Sequence, residues 1–229
     1  MSHDTQAFRA RYRAGIHPRY NPWLHGGFVL AFGIAVLWLC WREVTQVRPS
    51  EWLALPLALL FMNAGIYVVH RHLGHHKHGF SRLFYQRHSG DHHSFFANGL
   101  MDYDSARDWR VILFPAWLIV LFSLAFVLPA WAVLSLFNAN VAGLFAGGMV
   151  LGYLLYEIFH ACEHLPARHP LARLPWLRQM RHLHALHHRR DLMQARNFNI
   201  VLPLTDWLCG TLHHEPEPFR PAAGETRER

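Results

Sequence analysis

The sequence predicts an all-α integral membrane protein with four transmembrane helices, arranged as two hairpins beneath a helical cap on the cytosolic side. Hydrophobic residues make up 52% of the 229 residues and charged residues only 16%, whereas soluble domains contain about 25% charged residues. The apolar residues are concentrated in stretches that are long enough to cross a bilayer. The 20 histidines lie almost entirely outside these stretches, in dense groups. The chain therefore alternates between membrane segments and polar, histidine-rich segments.

The first two predicted spans form one hairpin. Residues 26–41 contain no charged side chain, and the apolar character extends back to about Pro22. This stretch is close to the 20 residues that a helix needs to cross the hydrocarbon core. A polar link, residues 42–51, separates it from the second span, residues 52–69. The second span ends where the first clustered histidine begins.

The second hairpin is predicted from a longer apolar region. Residues 111–159 are almost wholly apolar, and this length is too great for one span but suits two. A turn could lie at Leu128-Pro129 or at Asn138-Ala139-Asn140. The second position is favoured because it gives spans of suitable length at 111–137 and 141–159.

The positions of lysine and arginine predict the orientation. Four lie before the first span, six in residues 71–110 and ten after residue 160, whereas the 42–51 link has two and the Asn-Ala-Asn turn has none. Because cytosolic loops carry the excess of basic residues, we expect both termini and both histidine-rich segments in the cytosol. The predicted organisation is a basic N-terminal segment (1–25), a membrane domain (26–212) and a polar C-terminal tail (213–229).

Ten histidines form four clusters, and most of them have the spacing of residues that share a helix face. The clusters are His70 and His75; His88, His92 and His93; His160 and His164; and His184, His187 and His188. His160 and His164 share a face, as do the three histidines of the last cluster. His88 and His92 also share a face, whereas His93 lies about 100° from His92 and could reach a second metal ion.

The first cluster does not fit a regular helix. His70 and His75 lie about 140° apart around an α-helix. We expect Gly74 to end the helix, which would let His75 fold back. His72 and His76 are four residues apart and remain an alternative that spacing alone does not exclude.

The clusters predict a site for two metal ions. Imidazole suits iron, zinc, copper and nickel, and ten imidazoles exceed the ligands that one ion can bind. The three cysteines, Cys40, Cys162 and Cys209, lie far apart and indicate neither a disulfide framework nor a thiolate site. The net charge of +7, in so apolar a chain, favours an anionic membrane face over nucleic acid as the partner.

Two other classes of metalloprotein are less consistent with the sequence. His160-x-x-Glu163-His164 matches the H-x-x-E-H motif of membrane zinc peptidases, but such a site leaves the other three clusters without a role. Outside a peptidase site, Glu163 would lie behind the ligands or in solvent. A haem carrier would place paired histidines inside the spans, and the predicted spans contain none. A non-catalytic metal-binding membrane protein remains open.

The four clusters and their order resemble the fatty acid hydroxylase/sterol desaturase superfamily of membrane di-iron enzymes, and most closely its fatty acid 2-hydroxylase branch. The resemblance covers about residues 60–212. It rests on Tyr67-x-x-His70 with His75, on His88 to His93, on Gly152-Tyr-x-x-Tyr-Glu157-x-x-His160-x-x-x-His164, on His184-x-x-His187-His188, and on the ending Asn197…Asp206…Thr211. Three residues separate His88 from His92 where the 2-hydroxylase branch usually has two, and the His-Pro-Gly-Gly motif of the cytochrome b5 domain that is fused to some relatives does not occur in this sequence.

The resemblance implies an enzyme that uses O2 to hydroxylate a C–H bond of a lipid of fatty acyl, sphingolipid or sterol/isoprenoid type. Desaturation at the same site is an alternative. It implies two iron ions, which zinc could replace in purified protein, and an external electron donor such as a ferredoxin or a cytochrome b5-type protein with its reductase. The implied ligands are His70, His75, His88, His92, His93, His160, His164, His184, His187 and His188. Asp206, Glu157 and Asn197 are expected to orient imidazole N–H groups.

Overall fold

The structure, a computed structural model, describes residues 3–216, and in that range it contains helices but no β-strand. The predicted C-terminal tail lies mostly outside the described residues. We number the helices in chain order: α1 (Thr5–Ala14), α2 (Pro22–Trp41), α3 (Glu51–Gly74), α4 (residues 82–95), α5 (Trp109–Ile112), α6 (residues 117–135), α7 (Ala139–Glu163), α8 (Pro175–His187) and α9 (Leu204–Leu208).

Four helical segments are long and apolar enough to cross a membrane: α2, α3, the region Ala106–Ser135 that contains α5 and α6, and α7. Large apolar side chains on their outer surfaces, such as Trp38, Phe61 and Leu124, are exposed. Such a surface is unfavourable in water and suits the hydrocarbon core of a bilayer. The chain is therefore a membrane protein.

The second and third of these segments differ from the predicted spans. α3 continues to Gly74, beyond the predicted end at residue 69. The predicted helix over 111–137 is interrupted, because the chain leaves the helical conformation at Leu113 and resumes it in α6. Pro115 explains the break, since a proline disfavours the helical conformation of the residue before it.

The chain turns between α6 and α7 near the predicted Asn-Ala-Asn sequence. Asn138 caps α7, and its side-chain oxygen accepts a hydrogen bond from the backbone N–H of Val141 at 3.0 Å. Such a cap satisfies one of the free N–H groups at the start of a helix. Pro129, at the alternative turn, instead lies inside α6 directly after a π-helical turn, Ser123–Val127.

α7 is the central and most buried of the four segments. It approaches its neighbours closely at glycines: a Cβ atom at Gly143 would collide with the carbonyl oxygen of Cys40 in α2, and one at Gly148 would lie 2.6 Å from the Cβ of Ala58 in α3. Small residues at such positions allow helix backbones to pack tightly within a membrane.

The polar segments lie at opposite ends of this helical core. At one end, Glu51 accepts hydrogen bonds from the side-chain amides of Asn138 (2.7 Å) and Asn140 (3.0 Å), which joins the start of α3 to the start of α7. At the other end, α1 packs over α4, where the Arg9 side chain donates to the carbonyl of Phe95 at 3.0 Å. Both histidine-rich segments lie at this second end.

Candidate metal centre

The ten histidines that the sequence singled out come together at one end of the helical core, and all ten are buried. They form two groups. In the first group, one nitrogen of each ring lies within 4.8 Å of the corresponding nitrogens of the other rings; its members are His70, His75, His88, His93 and His187. The second group meets the same criterion and contains His92, His164, His184 and His188. The Nε2 atom of His160 lies 3.1 Å from that of His92, and we include His160 in the second group.

The rings of the first group converge through their Nε2 atoms. The Nε2 atom of His75 lies 3.0 Å from that of His187 and 3.1 Å from that of His88. The Nε2 atom of His88 lies 3.1 Å from that of His93. The Nε2 atom of His70 is buried and has no hydrogen-bond partner among residues 3–216.

The second group has the same construction. The Nε2 atom of His92 lies 3.1 Å from that of His188. The Nε2 atom of His184 lies 3.0 Å from those of His164 and His188. Each group therefore presents several imidazole nitrogens to one small volume.

Two π-helical turns decide which histidines share a group. Residues Val69–Gly74 and Gln86–His92 form such turns, and their i→i+5 hydrogen bonds bring residues five apart onto one side of the helix. His70 therefore joins His75, and His88 joins His93. We expected from α-helical spacing that His88 and His92 share a face and that His93 reaches a second metal ion, but the structure groups His88 with His93 and places His92 in the second group.

The alternative pair in the first cluster lies outside both groups. The side chains of His72 and His76 are exposed, and the Nδ1 atom of His76 donates to the carbonyl of Arg71 at 2.9 Å. α3 ends at Gly74, directly before His75. A Cβ atom at Gly74 would lie 2.9 Å from the Cδ2 atom of His88, so glycine also makes room for a ring of the first group.

Main-chain carbonyl groups fix the orientation of five of the rings. The Nδ1–H donors and their acceptors are His70 to Phe198 (2.6 Å), His92 to Val111 (3.1 Å), His164 to Met101 (2.8 Å), His187 to Arg196 (2.8 Å) and His188 to Phe96 (2.8 Å). Since a carbonyl oxygen can only accept, Nδ1 carries the proton and Nε2 carries a lone pair.

These tautomers show that the residues fit a metal. The Nε2 lone pairs of His92 and His188, which face each other at 3.1 Å, cannot form a hydrogen bond. A cation between them would satisfy both, and an imidazole set suits iron or zinc. The two histidine groups can therefore bind metal ions.

Burial keeps these rings in the form that binds metal. Desolvation lowers the pKa of His164 to about 3, although its hydrogen bond to Met101 opposes the shift. Burial likewise lowers the pKa of His92, His184 and His188 well below the usual range, and the neighbouring histidines lower it further. Neutral imidazoles at neutral pH need not lose a proton before they bind an ion.

Asp206 does not bond to a ring itself but holds a main-chain segment that does. Its carboxylate is fully buried and accepts hydrogen bonds from the backbone N–H groups of Phe198 (3.0 Å) and Asn199 (2.7 Å) and from the hydroxyl of Thr211 (2.7 Å). It thereby holds the segment whose carbonyl accepts from His70. Asp206 supports a ring through the main chain rather than by direct contact.

Asn197 and Glu157 also lie apart from the rings. Asn197 has φ +57° and donates to the carbonyls of Leu183 (3.2 Å) and His213 (3.0 Å), which ties α8 to the segment that follows α9. Glu157 accepts from the backbone N–H of Phe114 at 3.3 Å, at the break before α6.

Within residues 3–216, no hydrogen bond joins any of these three side chains to an imidazole, which corrects their expected role. The reason is that free carbonyl groups at helix ends and in irregular segments lie closer to the rings. The carbonyls could not be foreseen, because they belong to the main chain and leave no mark in the sequence. The sequence reasoning also missed Ser89, whose hydroxyl lies 3.2 Å from the Nδ1 atom of His75 and donates to the carbonyl of Gly74 at 2.7 Å.

Comparison with known proteins shows the family and the fold. A family model for fatty acid hydroxylases matches residues 55–211, which is more than half of the chain. Among solved structures, full-length Scs7p, in which only the hydroxylase domain is visible, matches with a TM-score of 0.60 and 19% sequence identity, over 87% of this chain and 69% of that chain. At this identity the match shows a shared fold. No curated protein sequence matches the chain.

Proposed function

The chain belongs to the fatty acid hydroxylase family, and we propose that it is a membrane di-iron oxygenase that hydroxylates an unactivated C–H bond of a lipid. The observation that carries this proposal is the division of ten buried histidines into two groups, each with ring nitrogens close enough to hold one ion. A structural zinc site would need only four ligands. Two adjacent groups of five instead suit a reaction that uses two metal ions.

In this proposal each group holds one iron ion, and zinc could replace iron in purified protein because imidazole binds zinc at least as well as ferrous iron. The bound pair would supply the reduction of O2 coupled to oxidation of carbon. In the balanced reaction, one atom of O2 is inserted into the C–H bond. The other atom takes up two electrons and two protons and leaves as water. A ferredoxin or a cytochrome b5-type protein with its reductase would deliver the electrons.

The protein's own contribution is orientation and exclusion of water. The carbonyl acceptors hold the rings of His70, His164 and His188 so that their Nε2 lone pairs would be available to an ion in each group. Fully buried aromatic rings close the site: Phe96 stacks on His164 at a centroid distance of 3.9 Å, and Phe198 packs against His187 at 5.5 Å. A dry site protects reactive species from side reactions with water.

We propose that the lipid chain approaches from the membrane between α2 and α6. An open groove of about 490 Å³ there is lined by Phe28, Ala116, Trp117, Val120, Leu121 and Leu124. Phe114, two residues before Ala116, stacks on Tyr156 at 5.3 Å, and Tyr156 lies 5.5 Å from the ring of His160. A fatty acyl, sphingolipid or sterol/isoprenoid-type chain fits an apolar approach of this kind, and the motif order favours the 2-hydroxylase branch.

We further propose that the four helices cross the bilayer as two hairpins, with the histidine-bearing end in the cytosol. The support is the excess of basic residues in the segments at that end, which is typical of cytosolic loops. A soluble electron donor would then reach the metal centre from the cytosol.

The test is to express the chain in cells that lack it and to compare their lipids by mass spectrometry. The intact protein should produce a lipid that has gained one oxygen atom, and the purified protein should contain iron. His164→Ala should abolish the product, because it removes a ring of the second group. His169→Ala is the matched control, since this half-buried histidine lies outside both groups and only five residues away. A new double bond would assign the desaturase alternative, and unchanged lipids would overturn the proposal.

A further inference from the structure

Glu163 is a buried acid for which the proposed reaction has no role so far. It is the last residue of α7 and lies between His160 and His164 in sequence. Its side chain is fully buried. Neither of its carboxylate oxygens has a hydrogen-bond partner within residues 3–216. A buried carboxylate without a partner is strongly unfavourable, so a nearby positive charge or donor is needed if Glu163 is to stay ionised.

The group that faces Glu163 is the ring of His184. The Nδ1 atom of His184 lies 3.6 Å from the Oε2 atom of Glu163, and it too is buried and without a partner among the described residues. The distance is slightly too long for a hydrogen bond, and a small rotation of either side chain would form one. The Nε2 atom of the same ring lies 3.0 Å from the Nε2 atoms of His164 and His188. His184 therefore points one nitrogen into the second group and the other at a carboxylate.

This arrangement separates His184 from the five rings that carbonyl groups orient. A carbonyl is a neutral acceptor, whereas a carboxylate carries a full negative charge and forms a stronger, charge-assisted hydrogen bond. A carboxylate behind a metal-bound histidine fixes the tautomer and makes the ring a better donor to the metal. In the described part of the chain, no ion pair links a carboxylate to a ring of the first group.

We propose that Glu163 is a positioning residue that accepts the Nδ1–H of His184 and places one negative charge behind the second group. The two metal sites then differ, because only the second has a buried carboxylate that directly faces one of its rings. The inference rests on the proposed metal centre, and it predicts that the second group binds its ion more tightly with Glu163 than without it.

The same geometry argues against Glu163 as the base of an H-x-x-E-H peptidase. Such a base must lie on the side of the metal, where it can reach a metal-bound water. Glu163 faces Nδ1 of His184, whereas Nε2 points into the group. Its carboxylate is thus behind a ligand rather than beside the ion.

The experiment measures zinc retention by the full-length protein in detergent, without turnover. The zinc-loaded protein is dialysed against rising concentrations of a chelator, and zinc per chain is determined by mass spectrometry. In Glu163→Gln, one of two ions should leave at a roughly 10- to 100-fold lower chelator concentration, as is typical when a residue behind a ligand is changed. The other ion should be retained as in the parent. Glu163→Met, which removes the charge but keeps an unbranched side chain, should behave in the same way.

Glu157→Gln is the matched control. Glu157 is also a buried acid of α7, but it bonds to the N–H of Phe114 and not to an imidazole. This variant should retain both ions as the parent does. If it loses an ion as easily as Glu163→Gln, the loss reflects removal of any buried charge from α7, and the inference fails.

Combining Glu163→Gln with a second substitution shows which group holds the weakened ion. In His75→Ala, which damages the first group, adding Glu163→Gln should weaken the ion that remains. In His188→Ala, which damages the second group, it should change nothing further. Equal retention by both Glu163 variants and the parent, or a parent that binds fewer than two ions, would overturn the inference. A parent that binds two ions but oxidises no lipid would refute the proposed function and leave this inference intact.

Discussion

At the residue scale, the ability to bind a metal depends on whether a ring nitrogen faces into one of the groups. Two histidines that are adjacent in sequence can differ completely in this respect. His75 and His76 are adjacent, yet the Nε2 atom of His75 lies 3.0 Å from that of His187, whereas His76 is exposed and bonds to the carbonyl of Arg71. Spacing identified the cluster but left the choice between the pairs His70/His75 and His72/His76 open. The choice depends on contacts between α3, α4 and α8, which lie far apart in the sequence.

Replacement of His75 by alanine should therefore lower the metal content from about two ions per chain to about one and abolish lipid oxidation. His76→Ala should leave both unchanged, because its ring lies outside the two groups. Metal analysis of the purified variants and lipid mass spectrometry measure the two effects. Inactive His76→Ala beside active His75→Ala would show that the ligand assignment in this cluster is wrong.

At the element scale, the two π-helical turns explain why histidines five residues apart share a group, which regular α-helical spacing does not predict. His160 with His164 and His184 with His188 are four residues apart, and they share the second group as α-helical geometry predicts. His88 joins His93 instead of His92 because residues 86–92 form a π-helical turn. Nothing in the side chains of that segment marks such a turn. Turns of this kind are often found at functional sites.

Gly74→Ala tests the packing of the first π-helical turn. A methyl group there would lie 2.9 Å from the ring of His88, and a rigid ring that is held in a group cannot move away without loss of its position. We expect loss of about one metal ion per chain. Gly65→Ala on the same helix is the control, since no atom lies within 4 Å of its added methyl group. Full metal content in Gly74→Ala would contradict the packing described here.

At the scale of the whole molecule, the apolar lengths were enough to predict four membrane segments and the meeting of the histidine segments at one end. The break between α5 and α6 was not predicted, although Pro115 is a local signal that could have indicated it. The division of the adjacent pairs His92-His93 and His187-His188 between the two groups needs the positions of α4 and α8 relative to each other. No local pattern contains that information.

The orientation of the whole chain can be tested with reporter fusions. A reporter after residue 229 should lie in the cytosol, and one inserted in the 42–51 link should lie on the opposite side, because basic residues are concentrated in the other polar segments. Activity of a reporter that works only in the cytosol distinguishes the two sides. Both fusions on one side would refute the four-span arrangement.

The buried histidines also predict how the stability of the metal-free protein depends on pH. Burial lowers the pKa of His164 from 6.5 to about 3, so between these values the unfolded chain binds a proton that the folded chain does not. The stabilising effect is complete above about pH 6.5 and is lost as the pH falls towards 3. At pH 5.5 the loss is roughly 1 kcal/mol for each such histidine. Thermal unfolding in detergent between pH 7.5 and 5.5 should show a falling Tm, and a constant or rising Tm would contradict this account.

The central claim is that two ions are held separately by two groups of five histidines. Anomalous X-ray scattering from crystals of the zinc-loaded protein, recorded at the zinc edge, tests it most directly. We predict two peaks per chain, one about 2.0–2.1 Å from Nε2 atoms of His70, His75, His88, His93 and His187, and one at the same distance from those of His92, His160, His164, His184 and His188. A single peak shared between the groups, or peaks bound by His72 and His76, would contradict the claim.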